Sequence, residues 1–513
     1  AENNRCKHDL QRKDRIILCS RHLKGRSSEV KMRQLLKRAL SCKFKSIRKH
    51  GNDVEKIAMN SRSLIILVLL LPIVLLGKER PPNIVLFMAE DIGNDLACYG
   101  HPGVKTPTLD NLAANGIRYE RFYTNSPICS PSRTSLMLGV HQGYSGGHHH
   151  RSKVKGASEL HYLTHYLREV GYTCMVGTNM IPLKTSKIDV NVQLNEPMFD
   201  KKAKRSKDTP FFWQIQLQVT HRQANDDRWV TARQKSSKPV MTSMVKIPPY
   251  LPDIPEVRLD WATYLDQMEL ADQHTKIVIE DMRKRGELEN TVIIWMGDNG
   301  RCQIRGKGYL YEDGIRCPLI ISGKGIEKGK IVNDLASGVD LSATILALAG
   351  IEKPKHMHGQ ALLNNPNYQP KEFVYSARDR WDEIMDCSRT AVGPRFKYIH
   401  NFMPEVPYDA SQKYLNIIEV RPILPLLRQM NKSGKLPPEQ AAFFNPQKEV
   451  EQLFDLQNDP FELKNLANSP EHQSIKAELK AKLLQKAEEI QDKGLVKVNG
   501  VWKAKHLENP KHN

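Results

Sequence analysis

Paired cysteine motifs, a membrane-length apolar run and internal repeats are all missing from this 513-residue chain. The nine cysteines form no C-x-x-C pair, so neither zinc-finger spacing nor a disulfide framework can be read from them. The run from Leu64 to Leu76 has 13 residues. At about 1.5 Å per residue it spans roughly 20 Å, short of a bilayer core of about 30 Å. Acidic residues are scarce only at the start. Residues 1–63 carry 18 Lys and Arg against 6 Asp and Glu, which leaves 59 against 51 in the rest of a +20 chain. So mild a surplus suits an anionic substrate and does not demand nucleic acid, so no nucleic-acid partner is expected.

Residues 59–79 combine Met59, Arg62 and the short apolar run, the layout of a secretory signal. The stretch before Gly77 lacks an A-x-A cleavage pattern, so an uncleaved N-terminal anchor stays open. Residues 1–58 are expected to be a non-native or disordered basic extension ahead of Met59, with a basic cytosolic tail as the alternative. The expected localisation is exported: periplasmic, secreted or membrane-tethered. Cys6, Cys19 and Cys42 precede Met59, and six cysteines follow it. An exported chain has room for one or two bridges among these, with no assignment readable.

The body reads as alternating strands and helices. NIVLFM and TVIIWM are continuous apolar runs of strand length, the signature of buried parallel strands. The first ends in Glu90-Asp91 and the second in Gly297-Asp298-Asn299-Gly300, so both deliver polar groups at strand C-termini, where α/β sheets bind ligands. FFWQIQLQV (211–219) reads as another strand. Helical patterns fall at 109–116, 159–171, 260–285 and 340–350. This alternation predicts an α/β domain over 80–371, a large and mostly parallel sheet between helices. From Glu372 the pattern changes. EFVYSAR and RFKYIHN read as hairpin strands and ELKAKLLQKAEEIQDKG as a late helix, predicting a smaller α+β subdomain over 372–513 with an antiparallel sheet. VRPILPLL and KLPPEQ read as loops.

Cys129 sits in the polar turn CSPSR, not among the aliphatic residues that surround a structural cysteine. That placement favours chemistry. A phosphatase-type thiolate would need Arg six positions later, where this chain has Ser135, so that reaction is excluded. The triplet His148-His149-His150 reads as a solvent-exposed loop.

From about Pro82 to Ala467 the chain resembles the sulfatase family of the alkaline-phosphatase-like superfamily. The matching residues are NIVLFMAEDIG, the C-x-P-S-R run with its TSLMLG tail, WMGDNG, RGKGYLYEDGIRCPLI and QLFDLQNDPFELKNLA, in the family's order. LGVHQGY and IPPYLPDIPEVRLDW are similar to the subgroup containing heparan N-sulfatase. The resemblance implies an alkaline-phosphatase-like fold and conversion of Cys129 to formylglycine by a dedicated generating machinery. It implies hydrolysis of a sulfate ester or sulfamate on a sulfated small molecule or carbohydrate. It also implies one Ca²⁺ ion held by Glu90, Asp91, residue 129, Asp298 and Asn299, with Glu90 standing where the family usually has Asp. Arg133, Lys307 and His221 match the groups that steady the nucleophile, contact the sulfate and protonate the leaving group.

One departure weighs against full activity. After GYTCMVG the family continues with Lys and, two residues later, His; this chain has Thr178-Asn179-Met180. The missing groups would be supplied by another histidine, such as His141 or His165, or activity would be redirected or lost. The alternatives are therefore a phosphodiesterase or phosphonate hydrolase of the same superfamily, and a catalytically impaired glycan-binding relative. Nothing in the sequence sets the oligomeric state.

Overall fold

The computed structural model describes residues 80–222 and 228–505. The expectations for residues 1–58 and 59–79 lie outside the described residues.

Six consecutive apolar residues after Asn83 make Asn83–Ala89 (β1) a strand with no solvent-facing side, every one of its residues being buried. It lies inside an eight-stranded sheet. The other main strands are Gly116–Tyr123 (β2), Thr173–Val176 (β3), Phe211–Leu217 (β4), Thr291–Gly297 (β5) and Arg316–Gly323 (β6). The edge is completed by Lys330–Val332 (β7) and Ala336–Ser337 (β8). The order is β8-β2-β6-β5-β1-β4-β3, with β7 pairing β2. Only β6 runs against its neighbours β2 and β5; every other pairing is parallel.

Register does the positioning. Ala89 pairs with Leu217 on one side and with Gly297 on the other. The three strands therefore stop at one level, and the residues that follow each of them emerge at the same rim.

The period-two alternation of strand side chains divides the interior in two. Val85, Phe87, Trp213, Ile215, Ile293 and Trp295 face a core closed by the long helix Pro255–Lys284. Ile84, Leu86, Met88, Phe212, Val292 and Ile294 face a second core. That side is closed by helices Cys129–Leu138, Leu163–Glu169 and Gly338–Leu348. The fold is the α/β sheet expected from the sequence, with helices on both faces.

The C-terminal sheet has four antiparallel strands: Val374–Arg378 (β9), Ser388–Val392 (β10), Phe396–Asn401 (β11) and Glu451–Asp455 (β12). EFVYSAR and RFKYIHN are strands but not partners; β10 runs between them. Its sequence SRTAV is too short and too polar to show a hydrophobic period. VRPILPLL is likewise not all loop, because Leu424–Lys432 is helical with Pro425 in its first turn, where no N–H is required. In KLPPEQ, Pro438–Ala441 forms one short helical turn.

Helix Gln473–Glu489 packs Leu479, Leu483 and Ala487 onto this sheet. Among the described residues, contacts join Arg80 to Lys505 into one compact unit. One joint between the sheets is polar: Ser376 Oγ donates to the Thr124 carbonyl at 2.7 Å, and the Ala377 N–H donates to the Asn125 carbonyl at 2.9 Å. β9 is thereby fastened to the segment leading into Cys129.

All six described cysteines are free thiols. The C-terminal region relies instead on a buried ion network. Arg389 donates to Asp492 Oδ2 at 2.8 Å and to Asp379 Oδ1 at 2.9 Å, and the Tyr375 hydroxyl donates to Asp492 at 2.6 Å. Removing one partner from a buried pair leaves an uncompensated charge, a cost of about 3–5 kcal/mol. Arg389→Met should therefore lower stability by about that amount in a denaturant titration; a loss below about 1 kcal/mol would show that the network holds nothing together.

Candidate active site

Cys129 opens the helix Cys129–Leu138 and is buried, so its side chain meets the unsatisfied N–H groups and positive end of a helix dipole. Pro131 is tolerated because first-turn residues donate to nothing within the helix. Ser132 fastens the turn to the sheet rim by donating to the Asp298 carbonyl at 2.6 Å.

Beneath the helix, the aligned strand ends bring Glu90, Asp91, Asp298 and Asn299 together, all fully buried. Asp91 adopts φ +54°, a left-handed turn that folds the chain back immediately after the strand. Arg133 reaches down from one helical turn beyond Cys129 and holds Asp298 Oδ2 through Nε at 3.0 Å and Nη2 at 2.6 Å. Its Nη2 also lies 3.2 Å from Glu90. Lys307 sits 2.8 Å from Asp91, and Gly308 after it needs φ +94° and the absence of a Cβ, which would run into the Trp381 ring. His221, at the end of the turn after β4, places Nε2 3.6 Å from Glu90 and 4.0 Å from Asp91. The eight residues to which the resemblance gave catalytic or metal-holding roles thus lie together in one place.

The departure at Thr178 has a structural explanation. Thr185 Oγ1 accepts from the Thr178 N–H and donates to the Thr178 carbonyl, closing residues 178–185 into a loop. The Gln216 N–H donates to the Thr185 carbonyl at 3.0 Å, bringing the chain back to the sheet. Beyond the loop come Lys187 and, two residues later, Asp189. Lys187 Nζ binds Glu90 Oε2 at 2.8 Å, and Asp189 Oδ2 lies 3.6 Å from Cys129 Sγ. A lysine does reach the site, from further along the chain, with an acid in the place of the histidine.

The histidine comes from elsewhere. His148, His149 and His150 are buried, not solvent-exposed as the sequence suggested. His150 places Nε2 3.9 Å from Cys129 Sγ and Nδ1 2.8 Å from Asp382 Oδ1. His141 instead contacts His358 at 3.0 Å, and His165 contacts Glu196 at 2.8 Å. Asp382 had no readable signal, because it follows β9 and is remote in sequence from everything it serves.

The electrostatics follow from burial. Burial pushes Asp298 up to about 6, with Glu90 and Asp91 adding to it, even against the Arg133 guanidinium. Burial would raise Glu90 and Asp91 too, but Lys187 and Arg133 hold Glu90 well below the usual carboxylate range and Lys307 holds Asp91 down. Burial pushes His221 down to about 4, with Glu90 opposing. His150 is also disfavoured by burial, yet its bond to Asp382 and the neighbouring Cys129 carry it above the ordinary imidazole value.

The donor set fits a hard divalent cation. Asn299 spends its amide N–H groups on Asp91 Oδ1 and the Gly300 carbonyl, while its Oδ1 is buried with no hydrogen-bond partner. That orphaned oxygen joins three carboxylates whose crowding a cation relieves, an all-oxygen set suited to Ca²⁺. Cys129, His150 and Asp189 form a second group, with ligand atoms within 4.8 Å of one another. Above both lies a cleft of about 240 Å³ walled by Cys129, His150, Arg151, His221, Lys307, Trp381, Asp382 and Tyr414.

The sulfatase family model matches residues 82–188 and 193–351. An ulvan-active sulfatase of Formosa agariphila is 31% identical over 458 residues, covering 79% of this chain and 74% of that protein. Human N-sulphoglucosamine sulphohydrolase is 24% identical over 477 residues, covering 84% of this chain and 94% of its own length. A structure solved with its substrate D-glucosamine-2-N,6-O-disulfate superposes with TM-score 0.54 at 16% identity, covering 80% of this chain and 99% of that one. With more than half of the chain matched by the family model and a sulfatase relative 31% identical over most of both chains, the chain belongs to the sulfatase family and is a sulfuric ester hydrolase.

Proposed function

We propose that the protein hydrolyses a sulfate ester or sulfamate on a sulfated carbohydrate, using formylglycine made from Cys129 and one bound Ca²⁺. The observation that carries this reading is the placement of Cys129 on a helix N-terminus, directly above a buried nest of oxygen donors and ringed by cations. The substrate class rests on relatives named for ulvan and for N-sulphoglucosamine.

Formylglycine supplies a hydrated aldehyde as nucleophile, and Ca²⁺ supplies positive charge to polarise it and the sulfate. Glu90, Asp91, Asp298 and Asn299 would hold the ion together with residue 129. Arg133 keeps Asp298 aimed and places its own charge under residue 129. Lys187 and Lys307 balance Glu90 and Asp91 in the structure; a divalent ion among those acids leaves both lysines in surplus, and the cleft becomes an anion site. His221 and His150 each present a ring nitrogen from which a leaving oxygen or nitrogen can take a proton. Asp382 orients His150 as a carboxylate orients a catalytic imidazole.

A glycan-binding relative without turnover was motivated by the missing Lys/His pair, and Lys187 with His150 weakens that motive. A phosphodiesterase or phosphonate hydrolase is separated by substrate preference: a sulfatase releases sulfate faster than it cleaves phosphate esters of the same alcohol. We also propose export, on the strength of the leader pattern after Met59.

Maturation is read by mass. In protein from a host with the generating machinery, the peptide containing residue 129 should be about 18 Da lighter than its thiol form. Cys129→Ala should fold and turn nothing over. Sulfate hydrolysis by protein whose Cys129 is an intact thiol would defeat the mechanism.

Calcium content and activity should fall together in Asp298→Ala, because the ion neutralises charge building on the sulfate. Full calcium occupancy in this variant would remove Asp298 from the ligand set.

Proton donation is tested by the leaving group. His221→Ala and His150→Ala should each be compared on an alkyl sulfate and on a nitrophenyl sulfate, whose leaving group needs little protonation. The variant lacking the acid should lose about 10²-fold or more on the alkyl sulfate and far less on the nitrophenyl one. Equal losses on both substrates would assign that histidine to sulfate binding.

A further inference from the structure

Away from the cleft, a second cluster of ligand-bearing side chains lies on the face of the sheet covered by helix Leu163–Glu169. His161 and His165 stack with ring centroids 4.0 Å apart and planes 18° from parallel. Both direct Nδ1 at one oxygen, Glu196 Oε2, at 3.1 Å and 2.8 Å. The other oxygen, Oε1, is taken by the Tyr162 N–H at 2.8 Å, so the carboxylate is held with one face turned to the two rings. Glu196 is only 16% exposed at its side chain, against 37% and 31% for the histidines. The three ligand atoms lie within 4.8 Å of one another. His161 and Glu196 also line a solvent-open cleft of about 200 Å³, which gives an ion a way in.

We infer that His161, His165 and Glu196 form a binding site for a zinc-class divalent ion that clamps the segment carrying Lys187 and Asp189 to the body of the protein. Two imidazole nitrogens and one carboxylate oxygen suit zinc and its neighbours and exclude Ca²⁺, which takes oxygen donors. A tetrahedral ion with bonds of about 2.0–2.2 Å sets its ligand atoms about 3.3 Å apart. The two nitrogen-to-oxygen separations need to widen by only a few tenths of an ångström to admit it. Water completes the set.

The clamp follows from chain order. Glu196 ends the stretch that begins with the loop closed by Thr178 and Thr185 and passes through Lys187 and Asp189. Tyr162 already ties the same stretch down: its hydroxyl donates to the Val192 carbonyl at 2.9 Å and accepts from the Leu194 N–H at 3.2 Å. An ion joining Glu196 to His161 and His165 adds a further fastening between those segments. Any effect on turnover rests on the role proposed for Lys187; the metal site itself does not.

The test uses the full chain with Cys129→Ala, which removes the thiol of the other nitrogen- and sulfur-bearing group. Zn²⁺ is titrated against a chromophoric chelator in excess Ca²⁺. One equivalent should bind, and His165→Ala and Glu196→Gln should each weaken it by about 100-fold or more, since even losing a group behind the ligands costs 10–100-fold. Glu196→Gln keeps an oxygen for the Tyr162 N–H, so its folding should match the parent in a thermal melt. No bound equivalent, or unchanged affinity in both variants, overturns the site. Bound Zn²⁺ should also slow tryptic cleavage after Lys184 and Lys187 in the parent and not in Glu196→Gln. Zinc binding with unaltered cleavage overturns the clamp.

Discussion

Three parallel strands that stop at one level are the constraint on which the site depends. Because β1 pairs with β4 and β5 so that Ala89 faces both Leu217 and Gly297, Glu90 and Asp91 come to lie against Asp298 and Asn299. A slip of one residue would turn every strand side chain to the opposite face and withdraw these groups from one another. The two apolar cores, one on each face, hold that register: neither can pack if β1 shifts. Hydrophobic burial thus fixes an electrostatic arrangement that by itself would fly apart.

The arrangement is costly. Three carboxylates without solvent repel one another and forfeit hydration, so each must be answered by a cation or a proton. Arg133, Lys187 and Lys307 give the answer within the chain, and Asp298, buried beside Glu90 and Asp91, is the acid pushed up to about 6. A site balanced in this way is prepared for more positive charge, and a metal ion and an anionic substrate can enter as a pair. The same logic explains why the lysine missing at Thr178 reappears as Lys187: buried Glu90 would otherwise lack its closest ammonium partner.

The C-terminal sheet belongs to the site as much as the large sheet does. Trp381, Asp382 and Tyr414 wall the cleft, and Asp382 fixes the direction of the His150 ring by its 2.8 Å contact with Nδ1. The hydrogen bonds from Ser376 and Ala377 to the segment before Cys129 bring those groups within reach. The buried network of Arg389 with Asp379 and Asp492 stiffens the same region in a chain whose described cysteines are all free.

Much of this was legible in the residues alone. Apolar runs ending in Glu90-Asp91 and in Asp298-Asn299 announce buried strands with polar groups at their tips, since continuous apolar stretches of that length bury on both sides. The polar CSPSR turn singles out Cys129 as a cysteine without aliphatic neighbours in sequence, though the helix it opens is seen only in the structure. What stayed hidden depended on contacts between distant segments. The SRTAV strand has no period of its own and is a strand only because β9 and β11 flank it. The histidine triplet is polar enough to suggest a surface loop, and only packing buries it. Lys187 lay behind a loop whose closure by Thr185 involves side chain and backbone together, a feature no spacing rule reports. Asp382 met His150 because two sheets dock. Local chemistry is encoded residue by residue, but which distant group neutralises, orients or faces another is settled only when the chain folds and water is expelled from between them.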